Sequence, residues 1–216
     1  MVLSPRSGFE DTCSVARPRW HEINNNEMHQ VELVQQRNVI IRLHDAKRME
    51  IRRAAESDFE AMWPIFRDVV ASGDTYVFSP DTSRDDAFAF WFGPGVASYV
   101  AEAEGRIVGM YKIVQNHRDL GSHIANASFM VAPSYRGRGA GRRMGLHALR
   151  EARQAGFLGM QFNFVVSTNA SAVALWQSLG FAVVGTLPKV FKHAALGYVD
   201  AYVMYRSLKS EEASSP

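Results

Sequence analysis

Three glycines at alternate positions, Gly137, Gly139 and Gly141, stand between a predicted β-strand and a predicted helix. Because glycine has no side chain, consecutive backbone N–H groups of such a turn can converge on an anion at the start of the helix. Arginines around the same turn add charge-assisted donors for phosphate oxygens. They are Arg136, Arg138, Arg142 and Arg143. The segment therefore predicts a phosphate-binding turn, against the alternative of a glycine turn followed by a solvated basic helix face.

The spacing of this turn excludes two common phosphate sites. A P-loop ends in Gly-Lys-Ser or Gly-Lys-Thr, and neither tripeptide occurs here. A dinucleotide-binding fingerprint would need a glycine at the position of Arg142, and the strand before the turn is not the first of a βαβ domain. Nucleoside triphosphate hydrolysis and dinucleotide binding are therefore disfavoured.

Hydrophobic periodicity predicts an α+β domain built on a largely antiparallel sheet with a parallel insertion. The first helix is expected to open with a capping box, Ser57-Asp58-Phe59-Glu60. Between the last two strands we expect a loop that contains Pro188 and His193. The predicted strands are 49–54, 97–103, 107–115, 123–131, 160–167, 182–186 and 198–207, and the predicted helices are 57–73, 82–92, 139–154 and 170–179.

The domain boundaries follow from the same pattern. Residues 1–48 show no sustained period and predict a poorly ordered N-terminal extension, 49–208 form the domain, and 209–216 form a frayed tail. With 24 basic and 22 acidic residues, the charge is too balanced for a protein that neutralises a nucleic-acid backbone. The sequence has no run of roughly 18 apolar residues, so we expect no membrane span. The single cysteine, Cys13, cannot form a thiolate metal cluster. We expect a cytoplasmic protein without a metal.

Two motifs carry a resemblance to a known family. Arg136-x-x-Gly139-x-Gly141, after a strand that ends in Val-Ala-Pro, resembles the acetyl-CoA-binding motif of the GCN5-related N-acetyltransferase (GNAT) superfamily. A second segment, Asn169-x-x-Ala172-x-x-Leu175-Trp176-x-x-x-Gly180-Phe181, resembles the Asn…Ala…Leu-Tyr…Gly-Phe helix of that family. The resemblance implies a mixed, largely antiparallel sheet with a splayed parallel strand pair flanked by helices. It also implies acetyl-CoA as cosubstrate, direct attack of a neutral amine on the thioester, and a homodimer.

The resemblance also implies which residues bind acetyl-CoA. The pantetheine arm would enter the gap beside the fourth strand, where Met130 and Val131 offer backbone groups, and Asn169 would contact the same arm. Trp176 replaces the tyrosine that many relatives use as a general acid, so it is either a hydrogen-bond donor or a packing residue. The pyrophosphate would be wrapped by Arg136, Gly137, Arg138, Gly139, Ala140, Gly141 and Arg142.

Two asparagines in predicted strands are candidates for positioning the acceptor. Asn126 stands in a small, apolar run and Asn163 stands between two phenylalanines, although asparagine is disfavoured inside strands. Each is either a substrate-positioning residue or a structural amide that holds the sheet where its hydrogen bonds break. The segments around them resemble the GNAT subgroup that acetylates proline analogues such as azetidine-2-carboxylate, in which both asparagines hold the imino acid. No carboxylate lies within 123–131, so water is the expected base.

These observations lead to an N-acetyltransferase whose acceptor is a small-molecule amine, an amino or imino acid. Two alternatives stay open, a protein or peptide N-acetyltransferase and a catalytically weak CoA-binding sensor. The expected partners are the acceptor and a second copy of the protein, with no nucleic acid and no membrane.

Overall fold

The computed structural model describes residues 49–209. The predictions for 1–48, and those for the last residues of the C-terminal tail, 210–216, lie outside the described residues.

The described residues form one seven-stranded sheet with helices on both faces. The strand order is β1-β2-β3-β4-β5-β7-β6, and every neighbouring pair is antiparallel except β4 and β5. This arrangement confirms the predicted fold. The elements in sequence order are β1 Glu50–Arg53, α1 Phe59–Ala71, α2 Arg84–Phe92, β2 Ala97–Ala103, β3 Arg106–Gln115, β4 Ile124–Val131, α3 Ala140–Gln154, β5 Gly159–Val166, α4 Ala170–Ser178, β6 Ala182–His193 and β7 Gly197–Ser207.

The parallel pair β4 and β5 is joined over a very short length. Only Ile124↔Gly159 and Ala125↔Met160 are in register, after which the two strands separate. Beyond this point β5 pairs with β7, and its register shifts between Phe162 and Val165. The sheet therefore opens between the carboxyl ends of β4 and β5, which is the splay that the family resemblance implies.

Each face of the sheet has its own hydrophobic core. Ala127 and Phe162 belong to the core beneath α3 and α4, whereas Met130 belongs to the core beneath α1 and α2. Since successive residues of a strand point to opposite faces, Asn126 and Asn163 lie on the face that carries α1 and α2. The alternation thus brings the two asparagines to the same face of the sheet.

The start of α1 differs from the prediction. A short 3₁₀ turn, Glu56–Asp58, precedes the helix, and the carboxylate of Asp58 accepts the backbone N–H of Ala55 at 2.8 Å. Arg52 donates to both oxygens of that carboxylate at 2.7 and 2.9 Å, and these hydrogen bonds lower the pKa of Asp58. Ser57 is therefore not the capping residue. A carboxylate held by a guanidinium is the stronger acceptor at this position.

The predicted loop between the last two strands is also wrong. β6 continues to His193, because a bulge between Leu187 and Phe191 takes up Pro188. Within the bulge Lys189 has a φ of +53°, and its backbone N–H donates to Oδ1 of Asp200 at 2.8 Å. Proline normally ends a strand because it cannot donate to the ladder. Here the bulge removes that requirement, and pairing resumes at Phe191.

Candidate functional site

A cavity of about 920 Å³ occupies the splay between β4 and β5. It reaches from the turn before α3 to the segment between α1 and α2, and the end of β6 contributes to its wall. Every predicted site residue except Arg138 lines it. These residues are Asn126, Met130, Val131, Arg136, Gly137, Gly139, Ala140, Gly141, Arg142, Asn163 and Asn169.

The glycine turn (residues 136–142) exposes its backbone to this cavity. Gly137 and Gly139 have φ angles of +76° and +81°, which L side chains rarely adopt. A Cβ atom at either position would meet no other atom within 4 Å, so the backbone is open to an approaching ligand. α3 begins at Ala140 with no side chain capping it, which leaves its first N–H groups available to an anion. The turn therefore fits the pyrophosphate of a CoA ester.

The arginines of the turn do not converge on one point. Arg136 and Arg142 line the cavity, and Arg142 also donates to Oγ of Ser178 at 2.9 Å. The guanidinium of Arg138 lies 4.8 Å from the centre of the Tyr135 ring, and Arg138 is absent from the cavity wall.

Arg143 has a structural role that the sequence prediction missed. Its guanidinium donates to the backbone carbonyl oxygen of Met49 at 2.5 Å. It therefore ties α3 to the start of β1, and the prediction that it surrounds the phosphate is wrong.

The backbone of β4 offers alternate residues to the splay. The N–H of Asn116 donates to Ile124 at 2.8 Å and that of Ala132 donates to Val108 at 2.9 Å, so even-numbered residues of β4 bond to β3. Met130 therefore directs its N–H and C=O toward β3. It lines the cavity, but it does not offer these backbone groups to the pantetheine arm as predicted. Val131 and Phe129 direct theirs into the splay.

Tyr76, on the segment between α1 and α2, fills part of this opening. Its hydroxyl donates to the C=O of Phe129 at 2.8 Å and accepts the N–H of Phe129 at 3.0 Å. Burial raises the pKa of Tyr76, so the hydroxyl stays protonated over the physiological range. No sequence pattern points to this residue, because it lies in an irregular segment without a motif.

Asn163 belongs to a row of three amides. Its Oδ1 accepts Nε2 of Gln161 and its Nδ2 donates to Oδ1 of Asn116, both at 2.7 Å. The row itself sets the orientation of each amide. Since an amide group can make four hydrogen bonds, Asn163 keeps one N–H and one lone pair for a ligand. Asn126, half-buried, lies on β4, the other strand of the splay, and lines the same cavity.

Asn169 and Trp176 support the second wall of the cavity. Oδ1 of Asn169 accepts the backbone N–H of Ala172 at 3.1 Å and thereby caps α4. The Trp176 ring is buried, with its centre 4.8 Å from that of Phe129 and 4.7 Å from that of Phe162. These contacts favour the packing interpretation of Trp176.

His193 lines the cavity from the end of β6, and its hydrogen bonds define its tautomer. Nδ1 accepts the backbone N–H groups of Ala195 at 3.0 Å and Leu196 at 3.3 Å. Because Nδ1 is an acceptor, the proton of the neutral ring is on Nε2. In this tautomer the ring can donate a hydrogen bond from Nε2.

Metal ligands and membrane spans are two further features that bear on function. Within 49–209, no three side chains of His, Cys, Asp or Glu are grouped closely enough to bind a metal ion. In the same part of the protein, no helix combines the length and the apolar character needed to cross a bilayer.

Curated relatives of this protein are acyltransferases. It is 29% identical to N-acetyltransferase aca1 of Schizosaccharomyces pombe over 151 residues. This alignment covers 62% of this chain and 72% of the relative. It is also 29% identical over 147 residues to the L-amino acid N-acyltransferase MnaT of Escherichia coli, covering 66% of this chain and 84% of the relative.

Solved structures agree with these relatives. A GCN5-related N-acetyltransferase from Kribbella flavida matches with a TM-score of 0.72 and 40% identity, covering 75% of this chain and 99% of that one. The acetyltransferase yncA of Salmonella typhimurium, solved with its cofactor acetyl-CoA, matches with a TM-score of 0.67 and 26% identity over 77% of this chain and 98% of that one.

The family model for the acetyltransferase (GNAT) family matches residues 56–181, more than half of the sequence. This range contains the glycine turn, both strands of the splay and α4. The protein therefore belongs to the acetyltransferase (GNAT) family, and it is an acyl-CoA-dependent N-acyltransferase with acetyl-CoA as its cosubstrate.

Proposed function

We propose that this enzyme acetylates the amine of a small amino or imino acid, such as a proline analogue. One observation carries the proposal: Asn126 and Asn163, from the two separating strands, line the same cavity as the glycine turn. Amide groups on both sides of the splay can orient a small polar acceptor beside the thioester. The name of the E. coli relative, an L-amino acid N-acyltransferase, supports the same substrate class.

The residues proposed to hold acetyl-CoA lie at the other end of the cavity. Arg136, Arg142 and the N–H groups of residues 137–141 would bind the pyrophosphate, and the splay-facing backbone of Val131 would pair with the pantetheine arm. The free NH₂ of Asn169 would contact the same arm. When bound, acetyl-CoA supplies an activated acyl group.

Catalysis in this proposal depends mainly on orientation. Holding an amine next to a thioester in reactive geometry removes up to about 7–11 kcal/mol from the barrier. Asn126 and Asn163 would direct the lone pair of the acceptor nitrogen toward the carbonyl carbon. The C–N bond forms, the C–S bond breaks, and sulfur leaves with the electron pair.

The proton released by the acceptor nitrogen needs a path out of the cavity. Nδ1 of His193 is already bonded to two backbone N–H groups, and Tyr76 is held protonated by burial. We propose that water carries the proton. Asp74 lines the cavity and is the carboxylate, among the described residues, that this water could reach.

The shape of the cavity favours a small acceptor over a peptide. The end of the β6–β7 hairpin closes onto the segment after α1, where the N–H of Ala194 donates to the C=O of Gly73 at 2.9 Å. A peptide would need an open groove at this place. A protein N-acetyltransferase and a CoA-binding sensor are the two alternative functions, and the experiment below distinguishes them from a small-molecule N-acetyltransferase.

The test is to mix the purified protein with acetyl-CoA and a panel of amines, amino acids, imino acids and basic peptides, and to follow the release of free thiol. We expect thiol release with small amino or imino acids only. Release with peptides alone would contradict the proposal and support the protein N-acetyltransferase. Binding of acetyl-CoA without any turnover would support the sensor.

We also propose a homodimer that forms through β6. This strand is an edge of the sheet and exposes apolar side chains, among them Val184 and Val190 at 60% and 45%. Edge strands of this kind pair readily with another strand edge. Light scattering should show a dimer for the wild type and a monomer for Val184→Lys, and a wild-type monomer at high concentration would contradict the proposal.

A further inference from the structure

The segment 73–76, between α1 and α2, is fixed at both ends. Gly73 accepts the N–H of Ala194 from the hairpin, and the hydroxyl of Tyr76 bonds to the backbone of Phe129 on β4. Asp74 and Thr75 lie between these two anchors and line the cavity. The position of Thr75 is therefore set by the fold.

The hydroxyl of Thr75 is buried, and among residues 49–209 it has no hydrogen-bond partner. Buried polar atoms without a partner are rare in native proteins, and each one calls for an explanation. Two neighbouring polar groups of the same wall are bonded: Asp74 accepts from Ser72 at 2.5 Å, and Nδ1 of His193 accepts two N–H groups. Because Thr75 lines the cavity, a ligand that enters it can supply the missing partner.

The charges around the cavity indicate which ligand group this hydroxyl meets. The cationic side chains of the wall, Arg136 and Arg142, belong to the glycine turn. Away from that turn the wall offers neutral donors, the Thr75 hydroxyl and Nε2–H of His193, next to the carboxylate of Asp74. Neutral donors and a nearby carboxylate complement the two charged groups of a zwitterion.

We propose that Thr75 is a specificity-determining residue that donates a hydrogen bond to the carboxylate of the amino or imino acid acceptor. This assignment rests on the proposed function. Thr75 is not part of the glycine turn, and this role adds no step to the acyl transfer itself.

The test compares two acceptors, azetidine-2-carboxylate and azetidine-2-carboxamide, in the wild type, Thr75→Val and Thr75→Ser. Valine keeps the shape of threonine without the hydroxyl. We expect Thr75→Val to lower kcat/KM for the carboxylate by about 10- to 100-fold, mainly through KM. The loss for the carboxamide should be smaller, because its neutral C=O accepts a weaker hydrogen bond than a carboxylate does. Thr75→Ser should retain the preference for the carboxylate, and calorimetry should give the same acetyl-CoA Kd for all three proteins.

Thermal stability separates this role from a structural one. Removing an unpaired buried hydroxyl costs no hydrogen bond, so the melting temperature of Thr75→Val should equal or exceed that of the wild type. The matched control is Thr82→Val, because the Thr82 hydroxyl donates to the C=O of Ser79 at 2.6 Å and is absent from the cavity wall. This variant should lose stability and keep the preference for the carboxylate.

Several results would overturn the assignment. An equal loss on the carboxylate and the carboxamide would show that Thr75 does not recognise the carboxylate, and a lowered melting temperature would show a structural role. If the wild type turns over amines but no amino or imino acid, the proposed function fails first, and the assignment of Thr75 fails with it.

Discussion

The hydroxyl of Tyr76 takes the place of a neighbouring strand for Phe129, 53 residues away, in the part of β4 that lies beyond its pairing with β5. A splayed strand leaves buried N–H and C=O groups without a ladder partner, and such groups cost stability unless they are bonded. One phenol satisfies both groups of Phe129. The splay is thus stabilised from the segment between α1 and α2.

Tyr76→Phe should destabilise the protein because it leaves both backbone groups of Phe129 unpaired. The expected loss in the free energy of unfolding is about 1–3 kcal/mol, measured by urea denaturation without acetyl-CoA. Tyr198→Phe is the control, since the Tyr198 side chain is largely exposed, and it should change little. An unchanged stability of Tyr76→Phe would show that the two hydrogen bonds contribute nothing.

Arg136 and Arg142 line the cavity and Arg138 does not, so their replacement should affect acetyl-CoA binding differently. Replacing Arg136 and Arg142 together by Ala should raise the acetyl-CoA Kd at least about tenfold, since charge-assisted hydrogen bonds to phosphate are lost. Arg138→Ala is the matched control and should change the Kd less than about twofold. Isothermal titration calorimetry measures the Kd of both variants. Equal effects would contradict the assignment of Arg136 and Arg142, and not Arg138, to the phosphate.

Asn163→Ala should lower kcat/KM for the acceptor by about one to two decades, with little change in acetyl-CoA Kd. The control is Asn116→Ala, which removes the amide that accepts from Asn163 but is absent from the cavity wall. A smaller kinetic loss is expected there. If Asn163→Ala mainly lowers the melting temperature and turns over normally, Asn163 is a structural amide.

Lys112 should make the stability depend on pH. It is buried on β3 opposite Ser128, its Nζ donates to the C=O of Phe90 at 2.7 Å, and burial lowers its pKa from 10.5 to about 8. Below pH 8 the lysine is charged in both states, so the native state carries the full cost of burying the charge. Between pH 8 and 10.5 the unfolded state binds more protons, and the stability contributed by this group rises with pH.

Lys112→Met should therefore be more stable than the wild type at pH 7, by on the order of 2 kcal/mol after allowance for solvent screening. Urea denaturation at pH 7 and at pH 10 should show this difference becoming smaller at the higher pH. A destabilised variant, with the same deficit at both pH values, would mean that the hydrogen bond to Phe90 outweighs the burial of charge.

The sequence predicts local patterns well and long-range hydrogen bonds poorly. The glycine turn and the alternation of β2 are visible in consecutive residues, and the structure places β2 at the predicted bounds. Tyr76 bonds to a strand that is distant in the sequence. Thr75 stands out because its buried hydroxyl has no hydrogen-bond partner among residues 49–209. Neither feature produces a periodic pattern in the sequence.

Two errors have the same physical origin, which is competition between local rules and tertiary contacts. Ser57 has the right type for a helix cap, but Arg52 holds the carboxylate of Asp58 at that place. Pro188 has the right type for a strand end, but Asp200 on β7 accepts the next backbone N–H and supports a bulge. In both cases a residue on another element decides the outcome.

Because β4 and β5 pair over only two residues each, the sheet consists of two parts, β1–β4 and β5–β7. The two residue pairs join these parts at one end of the cavity, and the hydrogen bond from Ala194 to Gly73 joins them at the opposite side. Side chains connect these two parts as well, through the hydrogen bond from Asn163 to Asn116 and the contact between the Phe129 and Phe162 rings. The walls of the cavity are therefore joined mainly by side chains rather than by a continuous β-ladder.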